Sequence, residues 1–153
     1  MTGKLIGIAR TPVPLADMQT LSATAITVEA GVEGDARGTK PGRQVTVLFR
    51  EGWEDACRSV PATLPWTTRR ANLYVEGVER PRAVGARLKI GDLVLEVTQE
   101  TRPCALMERF QPGLRAAMTP DWRGGVSCAV ISGGSIGLGD AVEVEPAPPP
   151  GAD

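Results

Sequence analysis

The chain has 153 residues, enough for one domain with its own core, and its 42% hydrophobic and 23% charged residues are typical of a globular protein. A net charge of −1 excludes the basic field that binds nucleic acid or an anionic membrane, and 4% aromatic residues disfavour a base-stacking platform. Three cysteines, with neither a signal-peptide pattern nor an apolar run of about 18 residues, predict reduced thiols in a cytoplasmic protein.

The first half of the chain predicts short strands separated by polar turns. Strands are expected at Lys4–Ala9, Ala25–Ala30, Gln44–Phe49 and Asn72–Glu76. Gly31–Gly42 has the composition of a polar loop. Between Trp53 and Val60 the apolar residues recur at i, i+3, i+4 and i+7, which predicts a short helix that ends before Pro61.

The second half predicts a barrel corner and two short helical stretches. Arg87–Ile90 and Leu93–Thr98 should form a hairpin around Gly91-Asp92, and a glycine-rich hairpin is expected at Gly133–Gly139. Cys104–Phe110 and Gly113–Met118 look helical, and Val126–Ser132 is a further strand.

The predicted elements add up to one mainly β domain. We expect seven or eight strands, a β-barrel with one or two short helices over residues 1–145, and a disordered proline-rich tail over residues 146–153.

The chain contains no histidine, which restricts its chemistry. Ser-His and Cys-His nucleophile pairs and the common zinc sites with histidine ligands are excluded. Only three of the 17 basic residues are lysines. Arginine forks suit phosphate and carboxylate groups, although genomic base composition produces the same bias.

Cys104, in the turn Thr101-Arg102-Pro103-Cys104, is the strongest candidate for a reactive group. Pro103 suits the first turn of a helix, which would place the thiol near the positive end of the helix dipole, with Arg102 and Arg109 close in sequence. Such surroundings favour a nucleophilic, metal-binding thiolate. The alternative is a buried and inert cysteine, the role that Cys57 and Cys128 fit better.

Two other segments carry charged or polar candidates. Asp35 and Arg37 lie two residues apart in a glycine-flanked loop, which is also how an ordinary salt-bridged turn looks. Arg69-Arg70 with Asn72 precede a strand, and such residues usually form a solvated face. The glycine-rich stretch 133–139 lacks the Lys-Ser/Thr of a phosphate-binding P-loop.

Taken in order, several of these segments resemble the MOSC family, named for the C-terminal domain of molybdenum-cofactor sulfurases. The matching segments are Gly31–Gly38, Arg43–Leu48, Arg70–Leu73, Val84-Gly85 to Gly91-Asp92, Glu96–Cys104, Gly124–Val126 and Gly133-Gly134 to Gly139-Asp140. The resemblance covers about residues 5–145. It implies a compact β-barrel of the pyruvate-kinase-barrel type.

The resemblance also implies a site. Cys104 would either carry sulfur as a persulfide or ligate molybdenum in a bound pterin, the molybdenum cofactor (molybdopterin). Arg102 and Arg70 would hold anionic groups. Asp35, Arg37 and Asn72 would line the mouth of the site.

Partners follow from what the chain lacks. We expect no pyridoxal-phosphate domain in these 153 residues, so a cysteine desulfurase-like sulfur donor or a redox partner protein would be required, as for a sulfurtransferase or a component of a molybdenum-dependent oxidoreductase. Family members often have a histidine where Arg37 stands, and many have Glu-Asn where this chain has Arg70-Ala71-Asn72. These departures support an alternative, a non-catalytic binding domain on the same barrel.

Overall fold

The computed structural model describes residues 2–61 and 63–149. The strands in this part of the chain are β1 Thr2–Arg10, β2 Gln19–Thr20, β3 Ala23–Thr27, β4 Gly31–Val32, β5 Val45–Phe49, β6 Leu73–Glu76, β7 Arg87–Ile90, β8 Leu93–Glu100, β9 Val126–Ser132, β10 Gly134–Gly137 and β11 Ala141–Glu145. The helices are α1 Arg50–Arg58, α2 Ala105–Phe110 and α3 Leu114–Met118, with 3₁₀ turns at Trp66–Arg69 and Pro120–Trp122.

Seven strands form a closed barrel in the order β11-β7-β8-β9-β5-β6-β1, and β1 pairs back with β11. Every pairing is antiparallel except that of β5 with β6. A parallel pair needs a crossover, and α1 lies within that connection. Alternation along β8 points Leu93, Leu95 and Val97 into the core, where each is at most 1% exposed. The predicted mainly β barrel is therefore confirmed.

The helices cover the outside of β5 and β6. Trp53, Ala56, Met107 and Leu114 pack with Leu48 in a second apolar cluster, separate from the barrel interior. The described part of the chain contains three short α helices, one or two more than expected. None of its helices is long and apolar enough to span a membrane.

The two Gly-Asp turns differ in what they connect. Gly91-Asp92 closes the predicted hairpin between β7 and β8. The expected hairpin at Gly133–Gly139 is wrong, because β10 pairs with β3 in a separate three-stranded sheet while β11 pairs with β7 and β1. Two of the glycines serve close approach instead: a Cβ on Gly133 would lie 2.7 Å from the carbonyl oxygen of Ile26, and one on Gly134 would lie 2.8 Å from the backbone nitrogen of Leu93.

The predicted tail falls partly within the described residues. Ala147 packs half-buried against the barrel core, and residues 150–153 lie outside the described residues.

Candidate functional site

A cleft of about 500 Å³ opens at one end of the barrel. Its walls come from four connections: the loops after β1 and before β5, the turn before β6, and the segment after β8. Six cationic side chains line it: Arg37, Lys40, Arg43, Arg69, Arg70 and Arg102. Cys104 lies in the same lining, which includes no acidic residue among the described positions. This cleft is therefore suited to an anionic ligand that also meets a thiol.

Asp35 fixes Arg37 at the edge of the cleft. The Asp35 carboxylate has 0% side-chain exposure and accepts hydrogen bonds from the backbone N–H of Thr11 at 2.9 Å and of Arg37 at 3.2 Å. The Arg37 guanidinium donates twice to the same carboxylate and once, at 2.8 Å, to the carbonyl of Arg70. The loop that carries Asp35 and Arg37 is thus hydrogen-bonded to the turn before β6. Asp35 does not line the cleft itself but holds Arg37 from behind.

Arg69 and Arg70 point to opposite walls of the cleft. The 3₁₀ turn ends at Arg69, and Arg70 caps it with a left-handed backbone (φ 64°). Arg69 donates to the carbonyls of Thr101 (2.8 Å) and Gly124 (3.1 Å), while Arg70 donates to Ala16 at 2.6 Å. Adjacent arginines therefore hold two separate walls together.

Burial acts on both guanidinium groups. It lowers the pKa of Arg69 to about 10, opposed by the electrostatic influence of Cys104. It also lowers the pKa of Arg70, an effect that the neighbouring Arg37 charge reinforces. Arg69 has no carboxylate partner among the described residues, so a buried positive charge without a paired anion lies within electrostatic range of Cys104.

Asn72 lies at the floor of the cleft and is 1% exposed. Its Oδ1 accepts from the backbone N–H of Thr46 at 3.1 Å and from the Thr46 hydroxyl at 3.3 Å. Its Nδ2 donates to the carbonyl of Ala9 at 3.1 Å. The amide therefore joins β5 and β1 to the start of β6, which gives it a structural role in the barrel.

Cys104 is exposed and stands at the N-cap position of α2. Pro103 precedes the helix instead of beginning its first turn, and α2 has only six residues, so its dipole is small. Positive charge near the thiol therefore comes from the arginines. Arg102 is 85% exposed and lies 3.8 Å from Glu100, whereas Arg109 lies outside the cleft lining.

The structure thus brings Cys104, Arg102, Arg70, Arg37 and Asn72 to one cleft, with Asp35 directly behind it. Their roles toward a cofactor stay predictions. Sequence reasoning missed other lining residues, namely Lys40, Arg43 and Arg69. The only signal for Arg69 in the sequence is its position directly before Arg70. A solvated face is the usual interpretation of such a pair, whereas Arg69 is buried in the structure.

The three thiols should react in a fixed order with iodoacetamide. Cys104 is exposed, Cys57 is half-buried with a pKa raised by burial, and Cys128 is buried with a strongly raised pKa. We expect Cys104 to be alkylated first, Cys57 more slowly and Cys128 only on unfolding. Peptide mass spectrometry over a time course at neutral pH checks this order. Protection of Cys104 beyond that of Cys57 would contradict the exposed site.

Fold and site together define a small closed β-barrel with an exposed thiol in a cationic cleft. The chain belongs to the MOSC domain family, whose model matches residues 34–143. This family is associated with binding of the molybdenum cofactor.

Solved structures show the same fold. The YuaD protein from Bacillus subtilis superposes with a TM-score of 0.76 at 22% identity, covering 94% of this chain and 96% of that one. YiiM from Escherichia coli gives a TM-score of 0.68 at 20% identity, covering 92% and 69%. YiiM from Geobacillus stearothermophilus gives 0.65 at 14% identity, covering 93% and 72%. A search of curated proteins finds no match.

The side chains in the cleft fit the cofactor that the family binds. The described residues contain no group of three or more Cys, Asp or Glu side chains that could hold a bare metal ion. A ligand that brings its own metal and its own negative charge needs no such group. Six cations offer partners for the charge, and one exposed thiol offers a soft donor to the metal.

Proposed function

We propose that this chain binds the molybdenum cofactor in the cationic cleft and presents Cys104 to it as a thiolate donor. The observation that carries the proposal is the exposed thiol in a lining of six cations and no acidic residue. When bound, the cofactor would supply a redox-active metal of the kind used by molybdenum-dependent oxidoreductases.

Cys104 would meet the ligand through Sγ, which faces solvent in the cleft. Arg69, a buried cation, would offset negative charge on Sγ, because the electrostatic influence of Cys104 raises the pKa of Arg69 against the effect of burial. Arg69 also fixes the carbonyl of Thr101, three residues before Cys104, and so limits where the thiolate can lie.

The arginines and Asn72 would divide the remaining work. Arg102, whose side chain is 85% exposed, presents its guanidinium group for anionic parts of the ligand. Arg70, which donates to the Ala16 carbonyl, adds positive charge to the same cleft. Asp35 holds the Arg37 guanidinium in place, and Asn72 keeps the floor of the cleft rigid. Because Arg37 stands where relatives often have histidine, this chain would bind with a permanent positive charge at that point.

Sulfur transfer is a second candidate, favoured by the exposure of Cys104 to a partner protein. The thiolate would attack the terminal sulfur of a persulfide on a cysteine desulfurase-like donor. The donor S–S bond breaks, a new S–S bond forms at Cys104, and the donor cysteine leaves as a thiolate. Atoms and electrons balance without an added oxidant.

The test is analysis of the full chain purified gently from its own host. Molybdenum and pterin content and the intact mass are measured for the wild type, Cys104→Ser and Cys57→Ser. We expect the wild type and Cys57→Ser to carry the cofactor or one added sulfur atom, and Cys104→Ser to carry neither. Cys57 is the matched control because it is a half-buried thiol outside the cleft.

Two outcomes would contradict the proposal. Equal loading of the wild type and Cys104→Ser would remove Cys104 from the mechanism. A wild type with neither pterin nor added sulfur would favour the non-catalytic binding domain on the same barrel. The proposal also places the protein in the cytoplasm and gives it a redox partner protein or a cysteine desulfurase-like sulfur donor.

A further inference from the structure

Two of the six cations in the cleft, Lys40 and Arg43, are free to bind a ligand. Both are exposed, and their side chains form no hydrogen bond or ion pair with the described residues. Arg37, Arg69 and Arg70 instead donate to Asp35 or to backbone carbonyls. Arg102, the sixth cation, lies 3.8 Å from the carboxylate of Glu100. The cleft therefore separates cations that hold its walls from cations that are available.

The loop that carries Lys40 and Arg43 is fixed at its C-terminal end. The Gln44 amide donates to the carbonyls of Val28 (2.6 Å) and Gly38 (3.2 Å), and it accepts from the N–H of Val130 at 2.9 Å. Thr98 Oγ1 donates to the carbonyl of Gly42. One half-buried amide thus ties this loop to β9 and to the connection after β3.

The loop is equally constrained at its N-terminal end. Gly38 is buried, and a Cβ there would lie 1.7 Å from the carbonyl oxygen of Ala30. Asp35 holds the backbone N–H of Arg37 directly before it. Lys40 and Arg43 therefore project from a loop whose backbone is already ordered, which lowers the entropic cost of binding.

Lys40 and Arg43 also belong to one turn. The N–H of Arg43 donates to the carbonyl of Lys40 at 3.0 Å, so both side chains leave the same short segment and line the same cleft. A guanidinium fork beside a compact ammonium group is a chemical match for the oxygens of a phosphate. The acid-free lining leaves that attraction uncompensated.

We propose that Lys40 and Arg43 form the phosphate-binding pair of the cleft, and that Arg37, Arg69 and Arg70 act mainly as positioning residues for its walls. The inference rests on the proposed function in one respect, since the phosphate it places is that of the bound cofactor. The sequence predicted that Arg70 binds anionic groups. We assign that role to Lys40 and Arg43, in the loop before β5, instead.

Inorganic phosphate is the probe for this pair. Its affinity for the full chain, produced in a host that makes no molybdenum cofactor so that the cleft is empty, is measured by calorimetry, with chloride at equal ionic strength as the salt control. We expect Lys40→Ala and Arg43→Ala each to weaken phosphate binding about tenfold, and the double variant to lose measurable binding. Lys4→Ala and Arg115→Ala, which remove exposed cations outside the cleft, should bind as the wild type does.

The outcomes separate this inference from the proposed function. Phosphate binding that is absent in the wild type, or unchanged in the double variant, would overturn the Lys40–Arg43 pair whatever the molybdenum content. Phosphate binding that depends on the pair, together with a wild type that carries no pterin when purified from its own host, would support the pair and defeat the cofactor proposal. Unfolding midpoints without phosphate, measured for each variant, identify any loss caused by misfolding.

Discussion

Replacing Gly125 with alanine is expected to lower the free energy of unfolding by more than about 3 kcal/mol. Gly125 has φ of +90°, and an added Cβ would lie 2.2 Å from the carbonyl oxygen of Val47 on β5. Both the left-handed backbone and the steric overlap act against alanine. Chemical denaturation with urea, followed by tryptophan fluorescence, measures the change.

Gly139→Ala is the matched control for this substitution. Gly139 has a nearly identical φ of +94°, but nothing lies within 4 Å of an added Cβ. Gly139→Ala should lower the free energy of unfolding by only about 1 kcal/mol, the energy needed to hold alanine in the left-handed region. Similar losses in the two variants would show that the barrel yields around Gly125 and would contradict the expected overlap.

The Gly125 substitution should also disturb the site. The carbonyl of Gly125 accepts from the N–H of Thr101 at 2.9 Å, and the adjacent Gly124 carbonyl accepts from Arg69. A shift of Gly125 therefore moves the residues that precede Cys104. Faster iodoacetamide labelling of Cys128 in this variant would report the opening of β9 from its neighbours.

Asn72→Ala is expected to lower the free energy of unfolding by about 2–4 kcal/mol. The substitution removes a buried amide that bonds to Thr46 on β5 and to Ala9 on β1, and it leaves the Ala9 carbonyl without that donor. Unpaired buried polar groups cost their full desolvation energy, which makes the loss larger than that of an exposed hydrogen bond. Urea denaturation again measures the change.

Gln99→Ala provides the comparison for Asn72→Ala. Gln99 also presents an amide from a barrel strand, but it is exposed and its side chain forms no hydrogen bond with the described residues. Its replacement should change the free energy of unfolding by less than about 0.5 kcal/mol. A near-zero effect of Asn72→Ala as well would mean that the amide does not hold the strands together.

Local patterns predicted most of the barrel because its strands alternate and its turns carry glycine. Val126–Ser132 matches β9 end for end, and Gly91-Asp92 closes the expected hairpin. The hairpin at Gly133–Gly139 failed because glycine marks both a tight turn and a close approach of backbones, and the sequence alone does not distinguish them.

The site was harder to predict than the fold because it depends on the direction of single side chains. Arg69 points inward and Arg70, directly after it, has a left-handed backbone, and nothing in the sequence indicates a positive φ at an arginine. Lys40 and Arg43 looked like ordinary loop residues, since the anchors of their loop come from Val28, Thr98 and Val130, far away in sequence. Cys104 was found because its turn is a local motif.

The closure of the barrel by β11 on β1 also has a consequence for biosynthesis. Lys4 on β1 pairs with Ala141 on β11, so the barrel cannot close until β11 has been synthesised. The cleft draws on loops from Thr11 to Gly124, and a partly synthesised chain cannot assemble it. Long-range pairings of this kind fold slowly. A cofactor could therefore be loaded only after β11 has been synthesised, and a loaded protein should then resist unfolding by mass action.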